Sequence, residues 1–248
     1  MSQSVKATQP SSVNDVLLDS VNRRLVEAAT RFAILLNRMG YPAQAYSESA
    51  LQKVTVTPAP QKELIASHLE SWSEWIEPLD PSKSYDNEIS LLLRALAKHG
   101  FDLDEEFFKT IEKDQIIELY DEDMIQLYRS FNFYKITGYS ILDISLYEWY
   151  VLWDRPRQSL ESIGAELQEA LKTYIPVKPF QTKTHLVREI FNAAKSENFK
   201  PRAALLTPVR LGTLMPKPFS TNNKKGFICT STGEMIAIGK DAQNIEFI

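Results

Sequence analysis

The chain has little of the residue types on which the commonest catalytic and structural sites depend. It contains one cysteine, three histidines and eight glycines in 248 residues. A single cysteine excludes an intramolecular disulfide framework and favours a reducing compartment. The few glycines provide little material for a phosphate-binding loop, and neither a P-loop nor a dinucleotide-binding fingerprint occurs. The sequence therefore argues against the disulfide-rich, P-loop and Rossmann classes.

Motifs for metal or nucleophilic chemistry are also missing. His68, His99 and His185 are isolated, and none belongs to an HExxH pattern or lies near the single cysteine. Cys229 lies in the apolar run FICT, which is typical of a small core residue. The sequence therefore predicts no catalytic residue and no metal ligand, and it identifies no cofactor. Acid–base chemistry from dispersed carboxylates stays open, because the chain has 32 Asp and Glu residues.

Long hydrophobic runs are absent too. No window approaches the roughly 18 uninterrupted apolar residues of a membrane-spanning helix. The opening MSQSVKATQPSS has no apolar core and does not resemble a secretory signal. Hydrophobic residues make up 44% of the chain and aromatic residues 10%, which is enough for a folded core. We expect a soluble, cytoplasmic, globular protein.

Charge is unevenly distributed along the chain. Residues 171–248 carry 12 Lys or Arg against 5 Asp or Glu, although the whole chain has a formal charge of −4. This asymmetry indicates either an anionic partner or the packing of oppositely charged parts of one protein. Nucleic acid is disfavoured as the partner because the basic residues are widely spread. Seven of the twelve, spread over about thirty residues, are Lys195, Lys200, Arg202, Arg210, Lys217, Lys224 and Lys225.

The order of patterns predicts an α+β fold. Residues 1–12 are polar and predict a disordered tail. A helical region is expected over 13–112, and an α+β domain built on an antiparallel sheet with helices over 113–248. Within the first region, 43–60 predicts a linker with a short extended piece at 54–56.

The C-terminal part begins with a predicted hairpin. Residues 116–120 and 125–128 are β-favourable and flank an acidic turn. A helix is expected near 182–198. A strand over 203–211 and three short strands after Gly226 would then complete the antiparallel sheet.

The first helix, over 13–39, has the cleanest apolar period in the chain. Its apolar residues follow alternating spacings of three and four, which is the repeat that lets two helices pack along their length. The pattern indicates either an amphipathic helix on its own core or a helix that pairs with a second copy in a homodimer. The dimerisation residues would be Leu18, Val21, Leu25, Ala28, Phe32, Leu35 and Met39.

A short stretch at 124–140 carries a family resemblance. Its sequence, MIQLYRSFNFYKITGYS, contains Tyr128, Phe133 and the run ITGYS at 136–140. This stretch resembles the beginning of PAS sensory domains, in which a first hairpin leads into a short helical segment with an aromatic residue. The resemblance implies a module that binds a ligand or a protein partner, often with an N-terminal dimerisation helix.

Aromatic side chains are concentrated over 131–153 and could line a ligand pocket, although core packing is the commoner use of such a cluster. The predicted pocket residues are Tyr128, Phe133, Tyr139, Trp149 and Trp153. Together these features predict a regulatory or signalling protein that acts by ligand sensing or protein interaction. The alternatives are an enzyme with a dispersed acidic site, and an anion-binding or nucleic-acid-binding protein that uses the basic C-terminal part.

Overall fold

The computed structural model describes a discontinuous set of residues. They are 19–102, 108–109, 111–113, 115–121, 126–154, 157–158, 161, 165, 180–181, 185–189, 202–216 and 226–237. The tail predicted over 1–12, the first residues of the helix predicted from 13 and the last predicted strand lie outside this set. Of the basic residues singled out above, Arg202 and Arg210 fall within it.

The described part of the chain folds as α+β, with four helices first and then an antiparallel sheet whose strands are separated by three short helices. A single 3₁₀ turn covers Pro81–Lys83. The helices are α1 (Ser20–Arg38), α2 (Glu48–Val56), α3 (Ala59–Ile76), α4 (Ser84–His99), α5 (Asn132–Ile136), α6 (Ile141–Leu146) and α7 (Trp149–Leu152). The strands are β1 (Phe101–Asp102), β2 (Ile116–Asp121), β3 (Gln126–Arg129), β4 (Trp153–Asp154), β5 (Phe180–Gln181), β6 (His185–Glu189), β7 (Arg202–Pro216) and β8 (Gly226–Ala237).

These elements belong to two compact units. Unit one contains α1, α2, α3 and α6, and unit two contains residues 39–41, α4, α5 and the strands. Unit one is discontinuous in sequence, since α6 follows the hairpin of unit two. The division expected at residue 113 was based on the change from helical to strand-favouring sequence patterns and stays a prediction.

Within the described residues, helix α1 begins at Ser20, and the start predicted near residue 13 lies outside them. The carboxylate of Asp19 accepts hydrogen bonds from the N–H groups of Val21 and Asn22 and caps the helix at Ser20. These bonds hold the pKa of Asp19 below its ordinary value. The predicted end is confirmed, because Gly40 follows the helix with a φ of 85°, a conformation that favours glycine.

Helices α1 and α3 pack side by side and run in the same direction. Arg24 contacts Glu70 and Arg31 contacts Glu77, so the partner's number rises with position along α1. The aromatic ring of Phe32 on α1 contacts that of Trp72 on α3, with ring centroids 5.6 Å apart. The buried residues of α3 are Lys62, Ala66, Leu69, Ser73 and Ile76, with the same spacings of three and four as in α1.

The segment 43–60 differs from the sequence prediction. The linker predicted over 43–60 contains helix α2, and the piece expected to be extended, 54–56, is its last turn. Ser47 caps this helix through the N–H of Ala50, and Ala50, Leu51 and Val54 are buried on one face. Burial of that face outweighs the weak helix propensity of valine and threonine.

The sheet is antiparallel throughout its described pairs. Its main path runs β3-β2-β8-β7-β6-β4, so the hairpin predicted from the sequence is confirmed and lies next to β8. The helix predicted over 182–198 is wrong where strand β6 lies, since β6 pairs with β7. The short strands expected just after Gly226 form one strand, in which Gly233 pairs with Leu206 instead of making a turn.

Candidate functional site

A buried carboxyl lies inside unit two, on helix α4. The buried face of α4 continues from Glu88 through four apolar residues, Leu91, Leu92, Ala95 and Leu96. Glu88 is 5% exposed. One of its oxygens accepts a hydrogen bond from the Tyr128 hydroxyl at 2.6 Å, and the other accepts from the N–H of Phe131. Burial raises the pKa of Glu88 to about 7, although these hydrogen bonds and Lys135 act in the opposite direction.

A second polar cluster spans strands β2 and β3. Oε1 of Glu118 accepts hydrogen bonds from the Tyr120 hydroxyl and the Gln126 amide. The same oxygen accepts from Nε of Arg129 at 3.1 Å and lies 3.0 Å from its Nη2. Glu118 and Arg129 stand opposite each other in the antiparallel ladder, which brings the two side chains together.

The guanidinium of Arg129 is almost completely enclosed. Its side chain is 4% exposed, and its central carbon lies 4.0 Å from the centroid of the Phe133 ring. Burial disfavours its charge, but Glu118 and neighbouring phenol groups together raise its pKa above the ordinary value. Among the described residues, its Nη1 finds no hydrogen-bond partner. A buried donor of this kind costs about 1–3 kcal/mol when it stays unpaired.

Aromatic rings complete this site. The ring of Phe133 contacts that of Trp153 edge to face, with centroids 5.9 Å apart. It also contacts the ring of Tyr134, whose pKa is raised by burial. Arg129, Glu118, Phe133 and Trp153 together form what we call the guanidinium site. Its Nη1 donor is buried beside the rings of Phe133 and Trp153 and is unpaired among the described residues.

The predicted pocket residues are therefore divided between the units. Phe133 and Trp153 are in contact in unit two, and Tyr128 belongs to the same unit beside Glu88. Tyr139 is buried and, like Trp149, belongs to unit one. A pocket formed by all five stays a prediction.

The predicted dimerisation residues lie mostly inside unit one. Leu18 is outside the described residues, and Val21 is partly exposed. The remaining five, Leu25, Ala28, Phe32, Leu35 and Met39, are buried within a single chain. The packing of α1 on α3 explains their period without a second copy, which is one of the two alternatives left open by the sequence. Self-association through this face stays a prediction.

Unit one has its own buried carboxylate, on helix α6. Asp143 accepts hydrogen bonds from the N–H and hydroxyl of Ser140 in a capping box, and from the Ser47 hydroxyl at 2.7 Å. Main-chain bonds from Ile141 to Gln44 and from Leu142 to Ala45 strengthen this junction. Asp143 therefore joins the beginnings of α2 and α6, which is a structural task.

Glu88 and Arg129 were missed by sequence reasoning. A glutamate in a helix usually indicates a solvated face, yet Glu88 occupies the first position of an apolar stripe with the spacing i, i+3, i+4, i+7, i+8. That position was the available signal. Arg129 carried no comparable signal, because its burial depends on the segments around β3.

Within the described segments, no helix is long and apolar enough to cross a membrane. The same residues include no group of three or more His, Cys, Asp or Glu side chains that could hold a metal ion. Comparison with known proteins adds no family: no protein-family model matches the chain, and no curated protein matches its sequence.

Proposed function

We propose that this protein is a regulatory binding protein that senses a small-molecule ligand at the guanidinium site. The observation that carries the proposal is the free Nη1 donor of Arg129, held inside the fold on the face of Phe133. A ligand oxygen at this donor would recover the hydrogen bond that the described residues leave unmade. Such a site binds without needing catalytic groups.

The chemistry of the site limits the ligand. Glu118 already balances the charge of Arg129 through two nitrogens, so the free Nη1 can donate a hydrogen bond to a carbonyl oxygen or to one carboxylate oxygen. Phe133 and Trp153 favour a flat apolar body beside that oxygen. An aromatic amide fits both conditions, and an aromatic carboxylate fits them while adding one negative charge, whereas a phosphate would add more.

The sheet is consistent with a PAS-like sensory module, which we include in the proposal. The hairpin strands β2 and β3 and the later strands β8, β7 and β6 lie in one antiparallel path. The helices α5, α6 and α7 lie between the hairpin and the later strands in the chain. A resemblance extending beyond 124–140 would require this order of elements.

Benzoate is a suitable probe because it combines a flat ring with one carboxylate. We expect saturable binding by isothermal titration calorimetry, weaker binding of cyclohexanecarboxylate, and none of inorganic phosphate. Arg129→Lys keeps the positive charge but loses the planar fork, so it should abolish benzoate binding. Arg31→Lys is the matched control, since Arg31 forms an exposed ion pair with Glu77. Equal benzoate affinity in the wild type and in Arg129→Lys would contradict the proposal.

Self-association is a separate part of the proposed function. Its support is the heptad period of α1. The buried face of α1 already packs on α3 within the chain. Light scattering over a hundredfold range of concentration tests it directly. A constant monomer mass would remove self-association and leave ligand sensing untouched.

A further inference from the structure

The hydroxyl of Tyr128 lies between two oxygens of one residue. It is 2.6 Å from the carboxyl oxygen Oε2 of Glu88 and 3.2 Å from the main-chain oxygen of the same residue. Both residues are buried in unit two. The other carboxyl oxygen accepts from the N–H of Phe131, and the N–H of Asn132 also donates to this carboxyl. A phenol can donate one hydrogen bond while accepting another.

This geometry satisfies both protonation states of the carboxyl. When Glu88 is ionised, Tyr128 donates its proton to Oε2. When Glu88 is protonated, Oε2 can donate to the phenol oxygen, and the phenol proton can turn toward the main-chain oxygen. Phe131 continues to donate to Oε1 in either case. No hydrogen-bonding group of the Glu88–Tyr128 pair is then left unpaired in either state, which is otherwise a cost of about 1–3 kcal/mol per group.

We propose that Glu88 and Tyr128 form a proton-responsive switch within the folded protein. The carboxyl takes up and releases one proton, and the Tyr128 hydroxyl turns between the carboxyl and the main-chain oxygen. Hydrogen bonds to a charged acceptor are about twice as strong as neutral ones. The ionised carboxylate therefore holds the N–H groups of Phe131 and Asn132 more firmly, and protonation loosens the attachment of α4 to the beginning of α5.

Burial and the neighbouring groups together set the pH at which Glu88 takes up its proton. Burial disfavours the ionised carboxyl, and Lys135 on α5 favours it. Tyr134 on α5 also interacts with Glu88, while Tyr134 itself lies in the field of Arg129 and Glu118. Tyr41, from residues 39–41, and Tyr134 both act on Tyr128, whose pKa burial raises well above its ordinary value. Tyr128 therefore stays protonated, and its single proton turns without being lost.

The direct test is a pH titration of the full chain by NMR between pH 5 and 9. We expect the carboxyl carbon of Glu88 and the amides of Phe131 and Asn132 to share one titration, with a midpoint near the pKa of about 7. Glu88→Gln should abolish the titration of the two amides, because glutamine imitates the protonated acid. Asp86→Asn is the matched control: it removes an exposed carboxyl from the same helix and should leave the titration unchanged.

Tyr128→Phe tests the role of the hydroxyl and does not depend on the folding of the Glu88 variant. Without its donor the ionised carboxylate is less favoured, so the Glu88 midpoint should rise by about one pH unit. An unchanged midpoint in Tyr128→Phe would overturn the role of the phenol. Titration of the two amides in Glu88→Gln, or a Glu88 midpoint below pH 5 in the wild type, would overturn the switch. None of these three outcomes depends on ligand binding at the guanidinium site.

Discussion

The two units bury their polar groups in different ways. In unit one the interface between α1 and α3 is mainly apolar, and its ion pairs, Arg24 with Glu70 and Arg31 with Glu77, lie at the exposed margin. In unit two a carboxyl and a guanidinium, Glu88 and Arg129, lie inside the fold. Buried ionisable groups usually lower stability relative to apolar residues of similar size. Unit one also buries Asp143 and Lys62, but both are hydrogen-bonded within the unit. Because Nη1 of Arg129 has no partner among the described residues, we propose the function for unit two and a structural role for unit one.

Polar residues also occur in the core of unit one, where they fix the alignment of α1 with α3. The buried Nζ of Lys62 on α3 donates to the side-chain oxygen of Asn22 on α1. A single polar pair in an apolar helix interface fixes the alignment of the helices at some cost in stability. Both groups are satisfied by each other, whereas Nη1 of Arg129 is not satisfied by any described residue.

The largest effect should come from the apolar core of unit one. Phe32 is 2% exposed and packs on Trp72, so Phe32→Ala should lower the free energy of unfolding by about 3–5 kcal/mol. Ile34 on the same helix is 63% exposed, and Ile34→Ala should change it by less than about 0.5 kcal/mol. Urea unfolding measures both. Similar losses in the two variants would contradict the packing of α1 on α3.

The second largest effect should be a pH dependence of the free energy of unfolding, which comes from Glu88 in unit two. The pKa of Glu88 is raised from 4.5 to about 7 by folding, so between these pH values the folded state binds more protons than the unfolded state. The contribution of Glu88 to stability is therefore fully present below pH 4.5 and is lost as the pH rises through 7, by on the order of 3 kcal/mol.

Urea unfolding of wild type and Glu88→Gln across pH 4 to 8 isolates this contribution. The difference between the two curves should change steadily between pH 4.5 and 7 and stay constant above pH 8. Asp86→Asn supplies the control for an exposed carboxyl on α4. Parallel curves for the wild type and Glu88→Gln would show that Glu88 titrates normally in the folded protein.

A smaller effect should come from the ion pair of the guanidinium site. A double-mutant cycle of Arg129→Met and Glu118→Gln should give a coupling energy of about 2 kcal/mol, because the pair is largely buried and joined through two nitrogens. The measurement is again urea unfolding, at one pH for all four proteins. Additive losses would mean that the two side chains do not interact in solution.

The smallest effect is expected at the exposed margin of unit one. Arg24 donates to both carboxylate oxygens of Glu70, but its side chain is 48% exposed, so water and salt screen the pair. Arg24→Gln should leave the midpoint of thermal unfolding within the scatter of the wild type. A clear loss of stability would make the charged margin, and not the apolar interface, the main link between α1 and α3.

Local sequence patterns predicted the helices and strands better than they predicted which elements pack against each other. The period of α1 and the β2–β3 hairpin were both visible in the sequence. The partner of α1 was not, because Lys62 and Ser73 interrupt the apolar stripe of α3. Helix α2 was missed because its valines and threonine favour strands, and its buried face is set by contacts from elsewhere in the unit.

The candidate site was the least predictable part for a related reason. Phe133 and Trp153 could be chosen from an aromatic cluster in the sequence. Arg129 could not, because its place in the site depends on its contact with Glu118 across the hairpin. Charged residues are normally placed on the surface by any sequence-based argument. Their burial here depends on long-range packing, which a single sequence does not encode in any local pattern.

The central claim is that Arg129 offers a free donor to a ligand inside unit two. The most direct measurement is the NMR signal of the Arg129 side-chain N–H groups during a benzoate titration of the full chain. We predict saturable shifts of these signals together with the ring signals of Phe133 and Trp153, and no shift of the Arg24 side chain. Arg129 signals that do not move, or that move no more than those of Arg24, would contradict the claim.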